Sequence, residues 1–155
     1  MDISVSIEIA SAQETIWQAI TDIDHCGDMI STILAVEVLH RPPSGLVGLK
    51  WKETRKMFGK EASETMWITE AVTHRYYCTR AESHGAVYVT QLSIEEQGDN
   101  NCRLTMSFKG EAQTWLMTLI SFVINPFMKG SMEKMLLKDL TDIKTFVEGQ
   151  TEVKG

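Results

Sequence analysis

A chain of 155 residues, 43% hydrophobic and 23% charged, is long enough for one self-sufficient core and too ordinary in composition for a disordered or fibrous protein. Its net charge of −6 leaves only local cationic clusters, Lys50-Trp51-Lys52 and Arg55-Lys56, which argues against nucleic acid as a partner. Cys26, Cys78 and Cys102 are scattered and lack CxxC spacing, so a disulfide framework and a zinc site are disfavoured and reduced thiols in a cytoplasmic protein are expected.

The first element is a strand. Ile3, Val5, Ile7 and Ile9 alternate with Ser4, Ser6, Glu8 and Ala10, the period of a half-buried β-strand, and no secretory signal pattern precedes them. Ser11 is placed to cap the following helix, with Glu14 completing a capping box. Ile16, Trp17, Ala19 and Ile20 form the apolar side of that helix, which fades over Asp22 to Gly27. A second short helical turn is expected over Asp28 to Thr32.

Strand patterns then recur over Leu34–His40, Val47–Met57, Lys60–Ala71, Arg75–Ser83, Ala86–Glu95 and Cys102–Glu111. The breaks between them, including Pro42-Pro43-Ser44-Gly45, Phe58-Gly59 and His84-Gly85, carry turn chemistry. Successive hairpins predict an antiparallel meander.

The last third reads as helical. Trp115 to Met128 is apolar but, at 14 residues, shorter than the roughly 20 a membrane span needs, so no stable membrane insertion is expected. Asn125-Pro126 reads as the N-cap and first residue of a new helix. Met128, Met132, Leu136, Leu140, Ile143 and Val147 then form an apolar stripe opposite Lys129, Glu133, Lys134, Lys138, Asp142 and Lys144. Gly149 is expected to stop this helix, giving a single domain over 1–149 and a flexible tail over 150–155.

Residues 50 to 67 carry the chemistry. Lys50, Lys52, Thr54 and Lys56 share one strand face, which marks it as solvated and turns Trp51, Glu53 and Arg55 inward. A tight turn at Phe58-Gly59 pairs Met57 with Lys60, Lys56 with Glu61, Trp51 with Met66 and Lys50 with Trp67. That register sets Glu53 opposite Glu64, with Arg55 diagonal to Glu64. Two facing carboxylates in a partly dry site cannot both ionise cheaply unless a cation neutralises them. Such a group can grip a polar ligand head or act in acid–base catalysis; a buried Glu–Arg–Glu network with a structural role alone has the same pattern.

Pairing across His84-Gly85 places Tyr77, Thr79 and Ala81 with Tyr88, Thr90 and Leu92 on one face, and Leu104, Met106 and Phe108 alternate with Arg103, Thr105 and Ser107 on the strand after. Periodicity fits a lined pocket and a solid core equally. Asp22 to Asp28 matches neither calcium-loop nor zinc spacing, and caps and solvated side chains account for it. His40, His74 and His84 lie at strand ends or turns with no nucleophile motif, and no phosphate-loop or dinucleotide fingerprint is present. No metal and no cofactor is expected. The nine methionines suit core filling first and adaptable packing around a ligand second.

Ile7-Glu8-Ile9-Ala10 followed by Glu14 to Ile23, then Val47 to Arg55, Met57 to Ala62, Ala81 to Gly85 and the terminal amphipathic helix, resemble the START-like (SRPBCC) helix-grip superfamily, nearest its polyketide cyclase/dehydrase branch. The resemblance implies an α+β fold in which a curved antiparallel seven-stranded sheet wraps a long C-terminal helix, with two short helices between the first and second strands. It further implies a cavity between sheet and helix for an apolar small molecule such as a lipid, an isoprenoid or a polyketide-like aromatic.

The resulting expectation is a non-enzymatic binder or carrier of a hydrophobic small molecule. Its lining would come from Trp51 and Met66, from Tyr77, Tyr88, Thr90 and Leu92, and from Met106, Phe108 and Trp115, while Glu53, Arg55 and Glu64 orient a polar end. Alternatives are a cyclase or dehydratase using Glu53, Glu64 and Arg55 in acid–base catalysis, and a protein-interaction module like the superfamily's cochaperones. A homodimer is left open.

Overall fold

In the computed structural model, the backbone is described for residues 2–57, 59–83, 86–112 and 115–154. Side chains are described for these residues except 57, 83, 111, 112, 115–128 and 151–154. The order is β1 (Asp2–Ile9), α1 (Gln13–Thr21), a 3-10 turn (Ile23–His25), α2 (Cys26–Met29), β2 (Ile33–His40), β3 (Lys50–Met57), β4 (Lys60–Val72), β5 (Tyr76–Ser83), β6 (Ala86–Gly98), β7 (Asn101–Ala112) and α3 (Trp115–Lys154). All seven strands form one antiparallel sheet in the order β1-β7-β6-β5-β4-β3-β2. The short helices therefore carry the chain from one sheet edge to the other, and the meander returns until β7 pairs with β1. This is the helix-grip architecture that the sequence predicts.

The alternation in β1 seats Ile3 and Ile9 in the core, and the stripe on α3 does the same for Met132, Leu136, Leu140, Ile143 and Val147. α3 packs on β1, β7 and α1. Polar contacts fix its far end: Ala10 N–H donates to Glu148 Oε2 at 2.9 Å and Lys144 Nζ to the Glu8 carbonyl at 2.9 Å. Each ties the helix to the chain leaving β1.

Four local expectations are corrected. Helix α1 starts at Gln13 behind Ala12 with no side-chain cap; the buried Ser11 hydroxyl donates to the Ala12 carbonyl instead, so the capping box does not form. The turn expected over Asp28 to Thr32 lies earlier, in the 3-10 turn and α2, because Ile23, Cys26 and Met29 are the residues with a core to face. Pro126 does not divide the last helix: withdrawing one N–H from the ladder need not end it. Nor does Gly149 stop it, since the helical backbone continues to Lys154.

Helix α1 is anchored to the sheet by one buried group. The Tyr77 hydroxyl donates to the Ile20 carbonyl at 3.0 Å, and the Tyr77 ring meets Trp17 edge-on at 6.2 Å. Burial pushes the Tyr77 phenol above its ordinary pKa, so it stays a donor. Tyr77→Phe orphans that buried carbonyl and is expected to cost about 1 kcal/mol in urea unfolding with an unchanged m-value.

Candidate functional site

The β3–β4 hairpin has the register that the lysine face dictates. Lys50 faces Trp67, Trp51 faces Met66, Glu53 faces Glu64, Lys56 faces Glu61 and Met57 faces Lys60. Lys50 Nζ lies 5.7 Å from the Trp67 ring centre on the outer face, a cation–π contact. Trp51 is 3% exposed, and the Glu53 and Arg55 side chains retain 12% and 15% of their accessible surface. All three point inward.

Helix α3 brings a fourth group to them. Arg55 Nε donates to Glu53 Oε2 at 3.1 Å, and Arg55 Nη1 donates to Asp139 Oδ2 at 3.0 Å. Asp139 also accepts from Thr32 Oγ1 at 3.3 Å and is nearly sealed, its side chain 3% exposed. Sequence reading missed Asp139. The signal was present: Asp139 adjoins Leu140 and follows Leu136 by three residues, so a carboxylate sits within the apolar stripe.

The guanidinium is saturated on two sides, and its charge state is fixed. Burial works to lower the Arg55 pKa, but the Asp139 and Glu53 charges outweigh it and the net shift is upward. Asp139 is raised, chiefly by desolvation, against the pull of Arg55. Glu64 is raised as well, by burial and by the facing Glu53 charge, with Arg55 offsetting part. Among the described residues Glu64 makes no hydrogen bond or ion pair. The Trp51 indole Nε1 is buried and also without a partner.

A carboxyl whose pKa rises on folding stabilises the protonated protein and loses that contribution as pH climbs from its ordinary value through the raised one. Glu64→Gln is therefore expected to melt higher than the parent at pH 7, with the difference closing as the buffer approaches the ordinary glutamate value of 4.5. Differential scanning calorimetry at both pH values checks this.

The other nominated residues divide. Tyr88 stacks on Phe108, ring centres 5.6 Å apart and 23° between planes, and the Tyr88 ring lies over Gly110, where a Cβ would approach to 3.4 Å. Met66, Ala81, Tyr88 and Gly110 continue from Trp51 across the sheet as one inward row. Thr90, opposite Phe108, is half-buried, whereas Leu92 and Met106 are core residues. Tyr77 is committed to α1 through its hydroxyl. The Trp115 side chain lies outside the described residues.

Outside this cluster, the polar groups of the acidic segment include two ion pairs. His25 Nδ1 and the Asp22 carboxylate are 2.9 Å apart, and Arg41 bridges to Asp24 at 2.8 Å, on the segment that carries the acidic run. A surface depression beside this segment is lined by Asp24, His25, Gly27, Asp28 and the β2 residues Ile33 and Val36, which pair with Arg55 and Glu53 on β3. Burial raises the thiol pKa of all three cysteines, that of Cys26 to about 12, so none is a thiolate nucleophile.

Comparison with known proteins places this geometry in context. Residues 1–148 match the family model described as polyketide cyclase / dehydrase and lipid transport. No curated protein matches the chain. Among solved structures, a START superfamily protein from Mycobacterium smegmatis has a TM-score of 0.81 at 16% identity, covering 96% of this chain and 98% of its own. The Zhui aromatase/cyclase from Streptomyces sp. R1128 has a TM-score of 0.80 at 12% identity over 100% of this chain and 98% of its own. Norcoclaurine synthase from Thalictrum flavum, solved with dopamine and hydroxybenzaldehyde, has 0.73 at 14% identity over 96% and 87%. At these identities the likeness is one of fold. Among the described residues, no helix is long and apolar enough to cross a membrane.

Proposed function

Because the chain belongs to the polyketide cyclase / dehydrase and lipid transport family, we propose that it binds or carries a hydrophobic small molecule between the sheet and α3, with the Glu53–Arg55–Glu64 group at the molecule's polar end. The observation that supports this reading is an unanswered polar atom on a buried face. Trp51 Nε1 has no acceptor, although folded proteins satisfy nearly all buried polar atoms, and the half-buried Glu64 carboxyl on the same face takes no donor from the described residues. Family membership supports a hydrophobic-ligand or cyclase role in general, and the aromatic compounds held by the Thalictrum enzyme suit the stacked Tyr88–Phe108 pair as a lining.

Native mass spectrometry of the purified protein is expected to show a co-purified apolar molecule. Adding a matching compound at 100 times its Kd should stabilise the fold by about 2.7 kcal/mol. A panel of lipids, isoprenoids and polyketide-like aromatics that leaves the melting temperature unchanged would overturn the reading.

One observation favours catalysis as a second reading. Glu64 is an unpaired, partly buried carboxyl whose pKa is raised by burial and by the Glu53 carboxylate it faces, as is common for groups that transfer protons. If it acts as a base, Glu64→Gln retains binding of a polyketide-like aromatic and loses its turnover. An inert parent protein rules this reading out.

A further inference from the structure

The charge arrangement constrains the chemistry of the bound molecule's polar end. Three carboxyls, Glu53, Glu64 and Asp139, surround one cation, Arg55, and two of them already take its Nε and Nη1 donors. The group is therefore never net positive, whether Glu64 is ionised or protonated. A carboxylate or phosphate head would meet like charge with no free cation among these groups to receive it, and like-charge juxtaposition in a desolvated site is strongly disfavoured.

The two unanswered groups define what fits instead. Trp51 directly faces Met66, so Glu64 lies one diagonal away on the same inward face. Trp51, 3% exposed, offers an N–H that needs an acceptor. Glu64, half-buried, offers a carboxyl oxygen that no described residue donates to. An ammonium group can donate to Glu64 but leaves the indole unanswered. A carboxylate can accept from the indole but meets the Glu64 and Glu53 charges. A hydroxyl does both, since it carries one O–H donor and two acceptor lone pairs.

We propose that the occupant is an uncharged alcohol or phenol whose hydroxyl donates to Glu64 and accepts from Trp51 Nε1, and that anionic amphiphiles are excluded. This rests on the binding reading above and specifies its ligand class. The stacked Tyr88–Phe108 pair on neighbouring strands gives the apolar body of such a molecule an aromatic wall.

The test is isothermal titration of the intact protein at pH 7 with matched probes on two frames. These are 2-naphthalenemethanol, its ammonium and carboxylate counterparts and 2-methylnaphthalene, then dodecanol, dodecylammonium, dodecanoate and dodecane. The alcohol of at least one frame should bind tightest, with its carboxylate on the order of 100-fold weaker. Trp51→Phe should reduce the alcohol's advantage over the hydrocarbon, and Glu64→Gln should reduce the discrimination against the carboxylate. Equal binding of alcohol, carboxylate and hydrocarbon overturns the inference and leaves the binding reading intact. An ammonium probe that outcompetes the alcohol overturns it in favour of an amine ligand. No binding by any probe on either frame counts against both.

Discussion

Arg55→Met is expected to destabilise the fold by about 3–5 kcal/mol at pH 7, the usual cost of removing one partner from a buried ionic group. Methionine keeps the apolar length of the side chain, so lost packing contributes little. What changes is the charge. Asp139 keeps only Thr32 as a donor, Glu53 loses its partner, and both remain on a desolvated face beside Glu64. For a domain of this size each kcal/mol moves the melting temperature by about 2–4 °C, so the shift should be unmistakable.

The pH dependence gives this variant a signature that simple packing damage lacks. Asp139 and Glu64 already titrate above their ordinary values of 3.8 and 4.5, and losing the neighbouring cation raises them further. Carboxyls raised in this way contribute fully below those ordinary values and lose the contribution as pH climbs through the raised ones. The gap between variant and parent is therefore widest at pH 7 and narrows towards pH 4. Urea unfolding at both values measures it. A loss below 1 kcal/mol, or a gap that does not change with pH, would show that Arg55 does not neutralise the cluster.

The sequence disclosed the register of this cluster but not its membership. Three lysines on alternate positions of β3 fix which face is wet, and a two-residue turn after Met57 fixes which residues meet, so the Glu53–Glu64 apposition follows from local pattern. Arg55 and Asp139 are 84 residues apart, and no periodicity within either element encodes their meeting. It depends on how α3 lies against the sheet. The same limit explains the misplaced helix boundaries. Ser11 has the right chemistry for a cap but is buried and bonded to Ala12, and Gly149 and Pro126 are common terminators that α3 accommodates within its run. Tyr77 shows the converse: its inward face was legible, while its bond to the Ile20 carbonyl was not, because that depends on where α1 lies.

Leu140→Ala should cost about 2–5 kcal/mol, whereas Leu137→Ala, on the same helix, should stay within about 0.5 kcal/mol. Leu140 is 0% exposed and lies in the stripe with Leu136, Ile143 and Val147, while Leu137 is 44% exposed. The two substitutions remove the same atoms with the same change in helix propensity, so their difference isolates burial and the cavity left behind. Leu140 also adjoins Asp139, which connects its packing to the cluster. If packing of α3 is what holds the Asp139 carboxylate against Arg55, the double variant Leu140→Ala with Arg55→Met will be less destabilised than the two single losses combined, because the first has already loosened what the second breaks. Strictly additive losses would mean that the ion pair keeps its geometry without the helix core, and that Asp139 is positioned by Thr32 and the guanidinium alone.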